Sequence, residues 1–255
     1  LLQAVLDRKI QLIDYVVLKN KQNKRIIGFG RYAGIVGCYN GMLTYGKKIG
    51  AYSIKPANEC KDRVEMEEEI KKIRLPKDTK IVLTGFGRVG YGAREIMDLL
   101  DITEVSPEEF LHQQFDGPVF THLDVEDYYA RIDGTPFEKQ DFYANANLYK
   151  SVFAPYISAA QVYIACHFWS DKSPNIITQS DFQKPGSKTR VVADISCDIA
   201  GPIACTIRPS KIADPVYGYD PATGEEVDPW LDNSIAVMAV DNLPCELPMD
   251  ASEDF

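Results

Sequence analysis

An open α/β sheet, mostly parallel and covered by helices on both faces, is the fold class this sequence predicts. Three observations carry the prediction. Residues 80–84 form a largely apolar run of the length of a buried parallel strand, and they pass through a glycine-rich turn into a helical period at Ala93, Ile96, Met97 and Leu100. Three later apolar runs, 160–168, 190–196 and 235–240, have the same strand character. Polar residues gather at or just past their ends: Asp171 for the first, Asp194 and Asp198 for the second, Asp241 and Asn242 for the third. Ligands of open α/β sheets lie outside the carboxyl ends of the strands, so these residues are candidate site groups.

The other elements follow in order. Residues 10–17, apolar apart from Gln11, Asp14 and Tyr15, read as a strand, residues 20–24 as a polar turn, and residues 25–30 as a second short strand ending in glycine. From Arg31 to about Lys48 the period is helical, with Ala33, Val36, Leu43 and Lys47 on one side. Gly34, Gly37 and Gly41 leave a bare stripe along this helix. Glycine costs roughly 1 kcal/mol inside a helix, so the stripe predicts another element pressed close against it. Residues 63–72, rich in Glu and Lys, read as an exposed helix, and residues 75–78 break it. Residues 115–144 are too long for a plain connection and read as an insertion, a flap over the site. Residues 217–230 read as a hairpin turning at Ala222-Thr223-Gly224.

The turn Thr84-Gly85-Phe86-Gly87-Arg88-Val89-Gly90 is the most informative segment. Strand, G-x-G-x-x-G turn and helix together make a dinucleotide fingerprint. Gly85 permits the tight turn, Gly87 lets a pyrophosphate approach the backbone, and Gly90 lets helix and strand pack closely. Phe86, Arg88 and Val89 complete the phosphate-binding set. An acidic residue ending the second strand, roughly 20 residues on, would bind the adenosine ribose and disfavour a 2′-phosphate. The strand at that spacing is Thr103-Glu104-Val105-Ser106. With Ser106 at its end the selective carboxylate is missing and NADP is admissible; with Glu104 turned inward NAD is preferred; Arg88 offers a partner for a 2′-phosphate. The cofactor is therefore NAD or NADP.

A net charge of −9 argues against nucleic acid or an anionic membrane as partner, because the bulk field repels phosphate. Six scattered cysteines with no CxxC pair suit free thiols in a reducing compartment, and the location expected is cytoplasmic. No run approaches the roughly 18 apolar residues of a membrane span. No His/Cys/Asp grouping has metal-ligand spacing, so no metal is expected. His112 and His122 fall in or near the polar insertion and read as solvated; His167, at a strand end, reads as structural. The chain opens on Leu1-Leu2-Gln3 without Met and reads as a fragment of a longer protein.

Several stretches are specific to one family. They are Gln11-Leu12-Ile13-Asp14-Tyr15, the run from Arg25 through Phe29 to Gly34, Ala193-Asp194-Ile195-Ser196-Cys197-Asp198, and Ala239-Val240-Asp241-Asn242-Leu243-Pro244-Cys245-Glu246-Leu247-Pro248. Together they resemble the lysine-forming saccharopine dehydrogenases and the lysine–ketoglutarate reductase half of the bifunctional enzyme, a group similar in turn to alanine dehydrogenase and transhydrogenase. The resemblance spans nearly the whole chain. It implies a two-domain oxidoreductase in which NAD(P)H reduces the imine of lysine and 2-oxoglutarate to saccharopine, or the reverse. Residues 1–30 would end an N-terminal substrate domain, residues 31–250 would be the Rossmann-type cofactor domain, and residues 251–255 would start a C-terminal return segment. The family's acid–base lysine and histidine belong to the N-terminal domain, so turnover by this stretch alone is not expected. The resemblance further implies that Arg25 binds a substrate carboxylate, with Phe29 beside it. Asp198 would lie near the nicotinamide and the catalytic lysine, and Asp241, Asn242 and Leu243 would form the loop closing beside the cofactor. The fungal enzymes carry a cysteine where this chain has Val89. The partners implied are small-molecule substrates, with a homo-oligomer admissible. An alanine dehydrogenase-like enzyme and a non-catalytic NAD(P)-binding module are the alternative readings.

Overall fold

The computed structural model describes residues 1–23 and 25–255, so Lys24, the last residue of the expected polar turn, lies outside the described residues. The described helices are α1 (Leu2–Asp7), α2 (Gly30–Ile49), α3 (Arg63–Ile70), α4 (Arg88–Leu99), α5 (Pro107–His112), α6 (Val125–Tyr128), α7 (Lys139–Ala144), α8 (Ala154–Ala159), α9 (Gln179–Phe182) and α10 (Pro248–Asp254). The strands are β1 (Lys80–Thr84), β2 (Thr103–Glu104), β3 (Val119–Leu123), β4 (Tyr129–Arg131), β5 (Tyr149–Ser151), β6 (Val162–Ala165), β7 (Val191–Asp194), β8 (Val216–Tyr219), β9 (Glu226–Val227) and β10 (Ile235–Met238).

Eight strands form one sheet in the order β2-β3-β1-β6-β7-β10-β8-β9. All pairings from β2 across to β10 are parallel; β8 and β9 add an antiparallel edge, the expected hairpin. A fully covered parallel sheet needs apolar side chains on both faces, and β1 supplies them alternately. Ile81 and Leu83 join a core with α2, α3 and α4, while Val82 joins a second core rich in aromatic rings, among them Phe110, Tyr128, Phe153 and Tyr163. β4 and β5 make a small separate ribbon beside the second core.

The glycine stripe of α2 has two explanations along its length. A Cβ on Gly34 would overlap the Val89 carbonyl and the Ala93 amide of α4, and one on Gly92 would overlap the Arg31 carbonyl of α2. Here the two helices touch backbone to backbone. Gly37 and Gly41 instead face the sheet, against Ile195 and against Ala193 and Ile164. The helix ends at Gly50, which takes the left-handed conformation (φ 65°) that side chains resist.

Four expectations are corrected. Residues 10–17 are not a strand: Tyr15–Val17 form a 3₁₀ turn, and Ile10, Leu12, Ile13 and Val17 are exposed. The Asp14 carboxylate accepts from the Val16 N–H at 2.9 Å, a local bond that competes with strand pairing. Residues 25–30 likewise form no strand, only a bridge between Arg25 and Lys19; the Arg25 and Ile26 carbonyls accept from the Arg88 side chain instead of a neighbouring strand. The segment from 115 is not wholly an insertion, since Val119–Leu123 is β3, buried between β2 and β1. His122 lies within it and is buried rather than solvated. Thr121 and His122 interrupt the apolar pattern that would have marked a strand.

Candidate functional site

The glycine turn joins β1 to α4 at the carboxyl edge of the sheet. Gly85 has φ 95°, and a Cβ there would meet the Cys166 carbonyl and the His167 Cα. Its N–H donates to the Leu123 carbonyl at 3.0 Å. Its carbonyl accepts from His122 Nε2 at 2.7 Å and lies where a Gly90 Cβ would be. Both outer glycines are thus enforced by backbone contacts. Gly87, the residue capping α4, is different: nothing lies within 4 Å of a Cβ placed on it. Its bare face opens toward solvent at the N-terminus of a 12-residue helix, whose first N–H groups have no partner inside the helix. Backbone donors and the helix dipole make that position an anion cradle.

A cleft of about 410 Å³ lies over this cradle, within the range of small-molecule sites. Gly85, Phe86, Gly87, Arg88 and Val89 line it, so five of the six turn residues named from sequence meet there. The flank on the β3 side carries Asp124, Lys139 and Tyr143, and the flank on the β6 side carries Cys166, His167 and Phe168. Phe86 lies over the turn, stacked on the His122 ring at 3.8 Å between centroids. Burial keeps His122 below the usual histidine range and therefore neutral near pH 7.

Asp124 follows β3 directly and caps α6, accepting from the Val125 N–H at 2.7 Å. Lys139 Nζ donates to its Oδ2 at 2.7 Å. Burial works against ionisation here, but Lys139 and the backbone donor outweigh it and hold the Asp124 carboxyl below its ordinary range. His167 is wholly different. Burial pushes it down to about 3, and its Nδ1 lies 3.4 Å from both Thr84 Oγ1 and the Tyr163 hydroxyl. Its Nε2 is buried without a hydrogen-bond partner among the described residues. Asp194, ending β7, is fully buried; burial raises it to about 6 although it accepts from Thr206 Oγ1 at 2.7 Å and the Cys197 N–H at 3.0 Å.

The remaining predicted residues do not converge on this cleft. Phe29, Asp241 and Asn242 share a separate groove of about 530 Å³ with Tyr15, and Phe29 stacks on Phe255 at 4.5 Å. Leu243 is buried beneath α2, against Gly37. Arg25 is exposed and lines neither cavity; its carbonyl, with that of Ile26, accepts from Arg88 Nη2 at 3.1 and 2.8 Å. Arg88 is therefore engaged with the 25–26 segment. Asp198, half-buried with its carboxyl raised by desolvation, also lines neither cavity.

The stretch 103–106 is corrected by topology. Ser106 is the N-cap of α5, locked in a capping box with Glu109, and Glu104 receives both Arg94 Nη1 (2.9 Å) and Nη2 (2.7 Å). β2 lies at the outer edge; the strand alongside β1 is β3. Counting residues from the glycines led to the edge strand, because β3 lies within the stretch read as an insertion. The cleft also gathers Asp124, Lys139 and Tyr143, which the sequence did not single out. A usable signal existed for the first: Asp124 and Asp127 form a capping box directly after an apolar-ended run.

No family model matches the chain. An alpha-aminoadipic semialdehyde synthase of Arabidopsis thaliana is 29% identical over 295 residues, covering 100% of this chain and 27% of its own length. The mitochondrial alpha-aminoadipic semialdehyde synthase of Mus musculus is 26% identical, with 100% and 32% covered. A saccharopine dehydrogenase (NAD(+), L-lysine-forming) of Schizosaccharomyces pombe is 22% identical, with 96% and 59% covered. This chain is similar to both groups. It spans between about a quarter and three-fifths of the length of these relatives. Among solved structures, an L-alanine dehydrogenase superposes with a TM-score of 0.51 at 15% identity, over 94% of this chain and 55% of that one. The relatives and this neighbour agree with the resemblance drawn from the sequence, and the neighbour shares the fold of a mostly parallel sheet flanked by helices.

Proposed function

We propose that this chain is the cofactor-binding part of an NAD-dependent amino-acid dehydrogenase acting on the imine of lysine and 2-oxoglutarate, the saccharopine reaction. The cleft at the glycine turn is the observation that carries the reading. Its open Gly87 cradle fits a pyrophosphate, and Asp124 stands at the end of the strand beside β1, where a carboxylate accepts from the adenosine ribose hydroxyls. A charged carboxylate there repels a 2′-phosphate, so the reading favours NAD over NADP. When bound, the nicotinamide supplies or accepts the hydride. The chain's own residues bind and orient: α4's N-terminal amides hold phosphate, Asp124 fixes the adenosine end, and Lys139 keeps Asp124 ionised.

Arg25 is the candidate for a substrate carboxylate, a role that suits its planar fork, with Phe29 beside it. Asp198 is the candidate partner of an acid–base lysine. Asp241 and Asn242, exposed after β10, with buried Leu243 as anchor, are the candidate closing loop. We assign residues 1–30 to the end of a substrate domain and residues 31–250 to the cofactor domain; the exposed Leu2, Leu6, Ile10, Leu12 and Ile13 support a covering partner over the first of these. Six free cysteines support a reducing compartment, cytoplasmic in this reading, although the mouse relative is named mitochondrial.

The test is an assay of the protein as its organism makes it. NADH consumption should require lysine and 2-oxoglutarate together, while pyruvate with ammonia should give none. Absence of turnover with the first pair, or turnover with the second, contradicts the assignment.

A further inference from the structure

His167 is a buried group that the site's proposed chemistry does not yet use. It follows β6, on the opposite side of β1 from β3 and Asp124, and it lines the cleft against Gly85. Its two nitrogens have unequal surroundings. Thr84 Oγ1 and the Tyr163 hydroxyl, 3.1 Å apart, both lie 3.4 Å from Nδ1, whereas Nε2 is buried and unpartnered. A hydroxyl donating to Nδ1 leaves the ring proton on Nε2, a buried N–H on a residue that lines the cleft. A buried donor without an acceptor is costly, and a ligand oxygen there removes the cost.

We propose that His167 is a positioning residue whose Nε2–H donates to the second phosphate of the dinucleotide, the one on the nicotinamide side, as Asp124 holds the adenosine side. The inference rests on the dinucleotide reading above. His167 acts as a neutral donor, since burial keeps it uncharged throughout the ordinary working range. Its contribution therefore does not fade as pH rises from 6 to 8.

ADP-ribose and AMP separate the two halves. Calorimetry should show His167→Leu lowering ADP-ribose affinity about tenfold while AMP affinity is unchanged, and His167→Gln, which keeps a donor, restoring most of the loss. In the unsubstituted chain, the ¹⁵N resonance of His167 Nε2 should move with ADP-ribose and stay with AMP, a readout that does not depend on any variant folding. Equal losses for both ligands, no loss at all, or a resonance indifferent to ADP-ribose overturns the proposal. If the unsubstituted chain binds neither ligand, the dinucleotide reading itself falls and takes this inference with it.

Discussion

Asp124 and Asp194 are both strand-end aspartates of one parallel sheet, yet their surroundings drive them in opposite directions. Asp124 rims the cleft, half-buried, and Lys139 with the Val125 N–H overcomes desolvation to hold its carboxyl low. Asp194 lies two strands beyond β1 on the other side, fully buried; desolvation prevails over its two hydrogen bonds and raises it to about 6. The difference shows that a carboxylate at the C-terminal end of a strand is not by itself a ligand group. One that stays hydrated and paired is available to a ligand, while one sealed under the loops ties Thr206 and Cys197 to the sheet.

The largest effect expected is on the turn that both flanks share. Gly90→Ala drives a methyl into the Gly85 carbonyl, a backbone atom that cannot step aside, and should cost about 3 kcal/mol or more in urea unfolding. Gly87→Ala meets nothing in the protein, so its unfolding midpoint should stay in place while dinucleotide affinity drops. Equal stability losses for the two variants would contradict the division between structural and ligand-facing glycines.

The two aspartates should also give opposite pH dependences. Asp194 binds its proton more tightly folded than unfolded, so its contribution is complete below about pH 4 and is lost as pH rises through about 6. That loss is on the order of 3 kcal/mol, and Asp194→Asn should remove the slope in that window. Asp124 has the reverse sign: its contribution is present above the ordinary carboxylate range and disappears as pH falls through its lowered value. Asp124→Asn should flatten only the acid limb. Denaturation series of the three proteins across pH 3 to 8 test both signs.

Lys139→Ala should give the smallest change. The pair it breaks is partly exposed, so stability should shift by no more than about 0.5 to 1 kcal/mol. A larger loss would show that Lys139 supports the fold rather than the charge on Asp124.

Much of this contrast was readable in the sequence, and the unreadable part has a physical reason. β1, the glycine turn and α4 are consecutive, and local pattern fixes such a unit: the apolar strand, the glycines and the helical period all agree. The runs containing β6, β7 and β10 were legible for the same reason, being continuously apolar. Sheet order is not local. Spacing alone led to Ser106, because nothing in residues 103–106 reveals that β3 intervenes between them and β1. Residues 10–17 show the converse error. They are as apolar as many strands, but hydrogen-bonding partners make a strand, and Asp14 offers the backbone a local bond instead. Arg25 and Asp198, drawn from family resemblance, lie outside the cleft, so the geometry adds no support of its own to their roles.

The central claim is that Asp124, beside the glycine turn, makes this an NAD site. Parallel titrations of the chain with NADH and NADPH, followed by nicotinamide fluorescence, address it most directly. The account predicts NADH binding at least about tenfold tighter, with Asp124→Ser narrowing the gap. Equal affinity for the two, a preference for NADPH, or a preference for NADH that survives Asp124→Ser would contradict it.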